Sequence, residues 1–145
     1  METLITSNKM KNYFIKILWT TLLISLLSSV FLVTVILQIE KTDNVALHFN
    51  ATGIMYGICI FFNIIMGILS ISIFLNLNNK IRNNLTLSML TFIIIPLIAF
   101  ISFIGLTYHN FDKGFWTSIA VTTPYLIIMI VQFINYRKEL NKNFS

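Results

Sequence analysis

Residues 17–39, ILWTTLLISLLSSVFLVTVILQI, contain no charged side chain. An uninterrupted apolar run of this length meets the need of an α-helix, about 20 residues, to cross a hydrocarbon core about 30 Å thick. Three more runs repeat the pattern, at about 53–75, 85–107 and 115–136. Lipid offers no partner for backbone N–H and C=O groups, so runs of this kind cross as helices that satisfy their own hydrogen bonds. The expected fold is all-α: a polytopic membrane protein in which residues 1–145 form one domain, four transmembrane helices in an antiparallel bundle. The links are short, Glu40–Thr52, Asn76–Asn84 and Tyr108–Gly114, and force neighbouring helices to alternate in direction.

Composition agrees with this reading. The chain is 57% hydrophobic and 10% charged, against about 25% charged in soluble domains. Lys9, Lys11 and Lys16 ahead of the first run give the outline of a secretory signal. The run is too long for a signal core, however, and no small-x-small cleavage site follows, so it reads as a first span.

The net charge of +5 is topological. Lys9, Lys11, Lys16, Lys80, Arg82, Arg137, Lys138 and Lys142 fall on one side of the predicted membrane, Lys41 and Lys113 on the other. Eight against two places both termini in the cytoplasm by the positive-inside rule. Tyr13, Trp19, Tyr56, Tyr108, Trp116 and Tyr136 lie near span ends, where amphipathic rings favour the interface. Basic residues dispersed in this way make no nucleic-acid footprint. The abundance of Ile, Asn, Lys and Phe resembles the bias of an AT-rich bacterial genome, and the expected location is a bacterial inner membrane.

The four runs hold no Asp, Glu, Lys, Arg or His. Ionisable groups inside a membrane mark proton relays and ion pathways, so a pump or proton-coupled transporter is disfavoured. An oligomeric transporter or channel for an uncharged or lipidic solute stays open. No Ser-His-Asp set, HExxH or phosphate-cradling glycine loop is present, and no enzyme is expected. His48 and His109 share the outer links with Glu40, Asp43 and Asp112, but their spacing matches no metal signature. Neither a metal nor a cofactor is expected. The single cysteine, Cys59, reads as a small apolar residue. Asn50-Ala-Thr and Asn84-Leu-Thr satisfy the glycosylation pattern, which carries little meaning in a bacterial chain.

Small and hydroxylated residues recur at helical spacing: Thr21, Ser25 and Ser29; Gly53 and Gly57, with Asn63, Gly67 and Ser70; Ser88, Thr91, Ala99 and Ser102; Thr117, Ala120 and Pro124. Such stripes let membrane helices approach closely. Ser25, Ser29, Gly57, Asn63, Gly67 and Ser102 are the expected packing residues, chiefly within the bundle, with partner contact as the alternative. Asn63 is the most deeply placed amide and needs a partner, because an unpaired amide in hydrocarbon costs several kcal/mol. Pro96 and Pro124 each remove a helical hydrogen bond and are expected to kink their spans.

The first outer link reads Val45-Ala-Leu-His48-Phe49-Asn50-Ala-Thr-Gly53. It resembles the proline-x-His-Phe-Asn-x-x-Gly loop joining the first two helices of the SdpI-like bacterial toxin-immunity and signalling family. Ala46 stands at the proline position, and Ile54, Met55 and Tyr56 replace the acidic and polar residues that follow the glycine. The resemblance implies resistance to, or sensing of, a membrane-active toxin through His48, Phe49, Asn50 and Gly53, with His109 on the same face. The first functional expectation is therefore a non-catalytic membrane protein of that kind. The second is an accessory subunit of a larger membrane complex. Expected partners are membrane lipids and another membrane protein or a second copy.

Overall fold

The computed structural model describes the backbone of residues 2–39, 45–107 and 114–143, and side chains over 8–39, 53–105 and 117–142. Helix α1 spans Glu2–Ile39 and α2 spans Val45–Leu69, running on into a 3-10 segment, Ser70–Leu77. Two short helices follow, α3 (Asn79–Asn83) and α4 (Leu85–Met89). A π turn, Leu90–Ile94, then leads into α5 (Ile95–Thr107), and α6 spans Gly114–Asn143. No strand occurs among the described residues.

Four helices are long and apolar enough to cross a membrane: Asn8–Ile39, Gly53–Leu77, Leu85–Gly105 and Thr117–Lys142. The links differ from the sequence expectation. Residues 45–52 belong to α2, and α1 and α6 continue through the basic segments at their ends. Apolar composition marks where lipid stops; it does not stop the helical ladder, which lysine, arginine and glutamate readily continue in water. The polar link 76–84 is likewise ordered by capping. Asn84 Oδ1 accepts from the backbone N–H of Thr86 and Leu87 at 3.0 and 3.2 Å, and Asn78 Oδ1 accepts from that of Lys80 at 3.0 Å. Asparagine is favoured at this position because its side chain replaces the missing acceptor of the first turn.

Helices α1, α2, α5 and α6 follow one another round the bundle, with α2 and α6 also touching across it. The last span is the hub: 56% of its apolar window is buried, against 17–33% in the others. The outward surface carries Leu27, Phe31, Ile39, Phe61 and Ile98, each more than half exposed. A patch of that extent suits acyl chains, not water. Basic segments distant in sequence gather at one end, where Arg82 Nη1 lies 2.9 Å from Met10 Sδ and Arg137 Nη1 donates to the Arg82 carbonyl at 2.9 Å.

Inside, two apolar layers form. At the basic end Phe14, Phe92, Phe133 and Tyr136 pack with Met10, Ile17, Ile73 and Met129. Phe92 stacks on Tyr136 with centroids 5.1 Å apart, and Phe14 tilts against the same ring at 5.3 Å. Towards the other end Val33, Cys59, Phe62, Met66, Val121 and Tyr125 make a second layer. Replacing Phe92 by Ala removes the ring that touches Phe14, Phe133 and Tyr136. The cavity is expected to cost about 3 kcal/mol, measured by reversible unfolding in mixed micelles.

Candidate functional site

Polar groups buried between helices are the feature of this interior with chemical content. Thr21, Ser25, Ser29, Asn63, Ser70, Asn76, Ser88, Thr91 and Thr122 are all at most 5% exposed. Thr21, Ser25 and Ser29 share one inward face of α1, at four-residue spacing.

Three connections tie α1 to its neighbours. Ser25 Oγ donates to Asn63 Oδ1 at 2.7 Å, while Asn63 Nδ2 donates back to the Cys59 carbonyl at 2.9 Å, so both ends of the amide are engaged. Ser29 Oγ donates to the Val121 carbonyl on α6 at 2.9 Å. Nearer the end opposite the basic one, the Thr34 and Tyr56 hydroxyls share a hydrogen bond of 2.9 Å. Tyr125 on α6 reaches across to α2, donating to Ser70 Oγ at 2.8 Å with the Met66 carbonyl at 3.1 Å.

The densest cluster surrounds the π turn. Pro96 has no N–H to offer, so in five-residue register the carbonyl of Thr91 loses its helical donor. Ser72 Oγ takes up that carbonyl at 2.7 Å. Asn76 Nδ2 donates to Thr91 Oγ1 at 2.6 Å, and Thr91 Oγ1 donates to the Ser88 carbonyl at 2.8 Å. Asn76 Oδ1 and Ser88 Oγ are buried with no partner among the described residues. The cluster therefore repairs a proline-broken helix from a neighbouring one, which is how membrane proteins accommodate such breaks.

The residues singled out from sequence divide among several places. Ser25, Ser29 and Asn63 come together inside the bundle, and Gly67 faces α1, where an added Cβ would lie 2.9 Å from Leu22 Cδ1. Two of the expected packing residues lie outside the bundle interior. Gly57 is exposed, with open space where a Cβ would be, and Gly53 shares that condition. Periodicity identifies a small-residue face without identifying what it faces. Ser102 is exposed as well, although Ser88 and Thr91 of the same stripe are buried. The π turn inserts one residue between them, rotating the following helix by about 100° and splitting the stripe. His109 and the side chains of His48, Phe49 and Asn50 lie outside the described residues; the backbone of 48–50 is helical. Among the described residues no group of His, Cys, Asp and Glu is placed to hold a metal ion.

Sequence reasoning overlooked Ser72, Asn76 and Tyr125. Asn76 had been placed in a link, and a polar residue one turn before a link is indistinguishable from the link itself. The available signal was the pairing of a mid-span proline with hydroxyl and amide residues at the end of the preceding span.

In a double-mutant cycle, Ser25→Ala and Asn63→Leu should couple by about 0.6–1.7 kcal/mol, the range for hydrogen bonds between membrane helices. Additive effects would show that the 2.7 Å bond contributes nothing net. Comparison of the chain with protein-family models, with curated proteins and with solved structures finds no match.

Proposed function

We propose that the chain is a non-catalytic membrane protein acting through contact with another membrane-embedded polypeptide, as an accessory subunit of a larger complex. One observation carries this reading: Gly53 and Gly57, one turn apart on α2, face outward with nothing within 4 Å of an added Cβ. A small-x-x-x-small face turned to lipid lets a second helix approach closely. Within the bundle, by contrast, Ser25 is engaged with Asn63 and Tyr125 with Ser70. Residues 17–39, 53–75, 85–107 and 115–136 carry no Asp, Glu, Lys, Arg or His, which supports contact over transport of ions. A bacterial inner membrane, with the basic end in the cytoplasm, is the setting proposed on the distribution of lysine and arginine.

The test is a mild-detergent pull-down of tagged protein from native membranes, wild type beside Gly53→Leu, Gly57→Leu. The expected outcome is a defined membrane protein in fixed ratio with wild type and its loss, by about tenfold or more, from the variant. Because both glycines look onto open space, the variant should keep its melting behaviour. Recovery of the same partner at the same ratio from the variant would reject the docking face. Recovery of wild type alone, as a monomer, would reject the subunit reading.

A second reading rests on the His48–Gly53 segment and its likeness to SdpI-like immunity proteins: protection from, or sensing of, a membrane-active toxin at the outer face. Under it, a His48→Ala, Asn50→Ala double variant should lose protection in a toxin-challenge assay. Full protection by that variant would remove the segment from consideration.

A further inference from the structure

At the basic end, α1 and α6 border a groove of about 380 Å³. From α1 it is lined by Tyr13, Lys16, Ile17 and Thr20, and from α6 by Gln132, Asn135, Lys138, Glu139 and Lys142. The spacing on each helix is three or four residues, so each contributes one continuous row to the same groove. Three lysines and one glutamate give it a formal net charge of +2. Tyr13 is held at the wall by ring contacts with Phe14 and Tyr136, both at 6.3 Å.

The order of chemistry along the groove carries the argument. Lys138, Glu139 and Lys142 sit where α6 leaves its apolar run. One to two turns deeper, Thr20, Gln132 and Asn135 present neutral donors and acceptors from both helices. A further turn along the same rows, Leu23, Ile24 and Leu27 on α1 and Ile127 and Val131 on α6 are exposed large hydrophobics. Cationic, then neutral polar, then apolar and open sideways to lipid is the order of a phosphodiester, its glycerol esters and its acyl chains. Lysines that merely met the needs of topology would not require amides and a hydroxyl beneath them. Lys9, Lys11 and Lys80 illustrate the contrast: all are exposed at the same end, and none lines the groove.

We propose that this groove binds the phosphate group of an anionic membrane phospholipid, with Lys16, Lys138 and Lys142 on the phosphate and Thr20, Gln132 and Asn135 on the glycerol-ester region. Basic pockets between membrane helices on the cytoplasmic side are suited to anionic headgroups. The lipid then bridges the first and last helices, whose mutual packing is the most extensive in the bundle.

The experiment uses the full chain reconstituted in vesicles of equimolar dioleoyl phosphatidylglycerol and dioleoyl phosphatidylcholine, which differ only in headgroup, with retained lipid counted by native mass spectrometry. Wild type should retain phosphatidylglycerol in preference. Lys16→Gln, Lys138→Gln, Lys142→Gln should lower that preference by more than about tenfold, and single replacements by about fivefold each. The control Lys9→Gln, Lys11→Gln, Lys80→Gln removes the same charge from outside the groove and should leave the preference intact. All six lysines are exposed, so the substitutions spare the core. Should the triple variant fail to fold, the single variants carry the test. Equal losses in groove and control variants, or an unchanged preference in the groove variants, would overturn the proposal. A third arm adds inorganic phosphate at 10-millimolar order: displacement of the lipid by phosphate would assign the groove to a soluble anion and likewise overturn it.

Discussion

Hydrocarbon has no hydrogen-bonding capacity, and an unpaired amide or hydroxyl there costs several kcal/mol. The architecture of this protein is organised around that constraint. Backbone groups are satisfied within each helix, and where Pro96 prevents it a neighbour intervenes. The Ser72 hydroxyl donates to the Thr91 carbonyl, and Asn76 reaches Thr91 from the end of the preceding span. The π turn between α4 and α5 and the 3-10 segment after α2 face each other across this repair, so two local departures from α-helix geometry stand as one structural unit.

The same constraint distributes side chains through the interior. A layer of aromatic rings centred on Phe14, Phe92 and Tyr136 lies at the basic end, and a layer of Val33, Cys59, Phe62 and Met66 towards the other. Hydrogen bonds from Ser25 to Asn63, Ser29 to Val121 and Tyr125 to Ser70 cross the bundle. Close packing and these bonds do the work that water-driven burial does in a soluble core, because lipid is as apolar as leucine. They also set helix register: a slip of one residue would withdraw Ser25 from Asn63 and take from the Asn63 Oδ1 its donor.

On the proposed reading, function resides on the surface. Interior polar atoms mostly serve one another, and among the described residues the outward relief includes the Gly53–Gly57 face on α2 and the basic groove between α1 and α6. The glycine face on α2 and the groove between α1 and α6 lie on different elements, and nothing in the geometry requires that one occupant exclude another.

Four spans and a helical fold were legible in the sequence because hydrophobic length is a local property: some 20 apolar residues determine a crossing helix wherever they occur. The gathering of basic segments at one end followed for the same reason. The facing of each stripe was not legible. Thr21, Ser25 and Ser29 turn inward while Gly53 and Gly57 turn outward, although both obey the same four-residue spacing. Spacing establishes which residues share a face, and only the packing of other helices determines what the face meets. Ser102 makes the point most sharply, because its exposure follows from a one-residue π insertion that Pro96 permits and that Ser72, on another helix, stabilises. The sequence alone determined the helices and where lipid begins; the tertiary structure decided register, facing and the groove, because those depend on pairs of residues far apart in the chain.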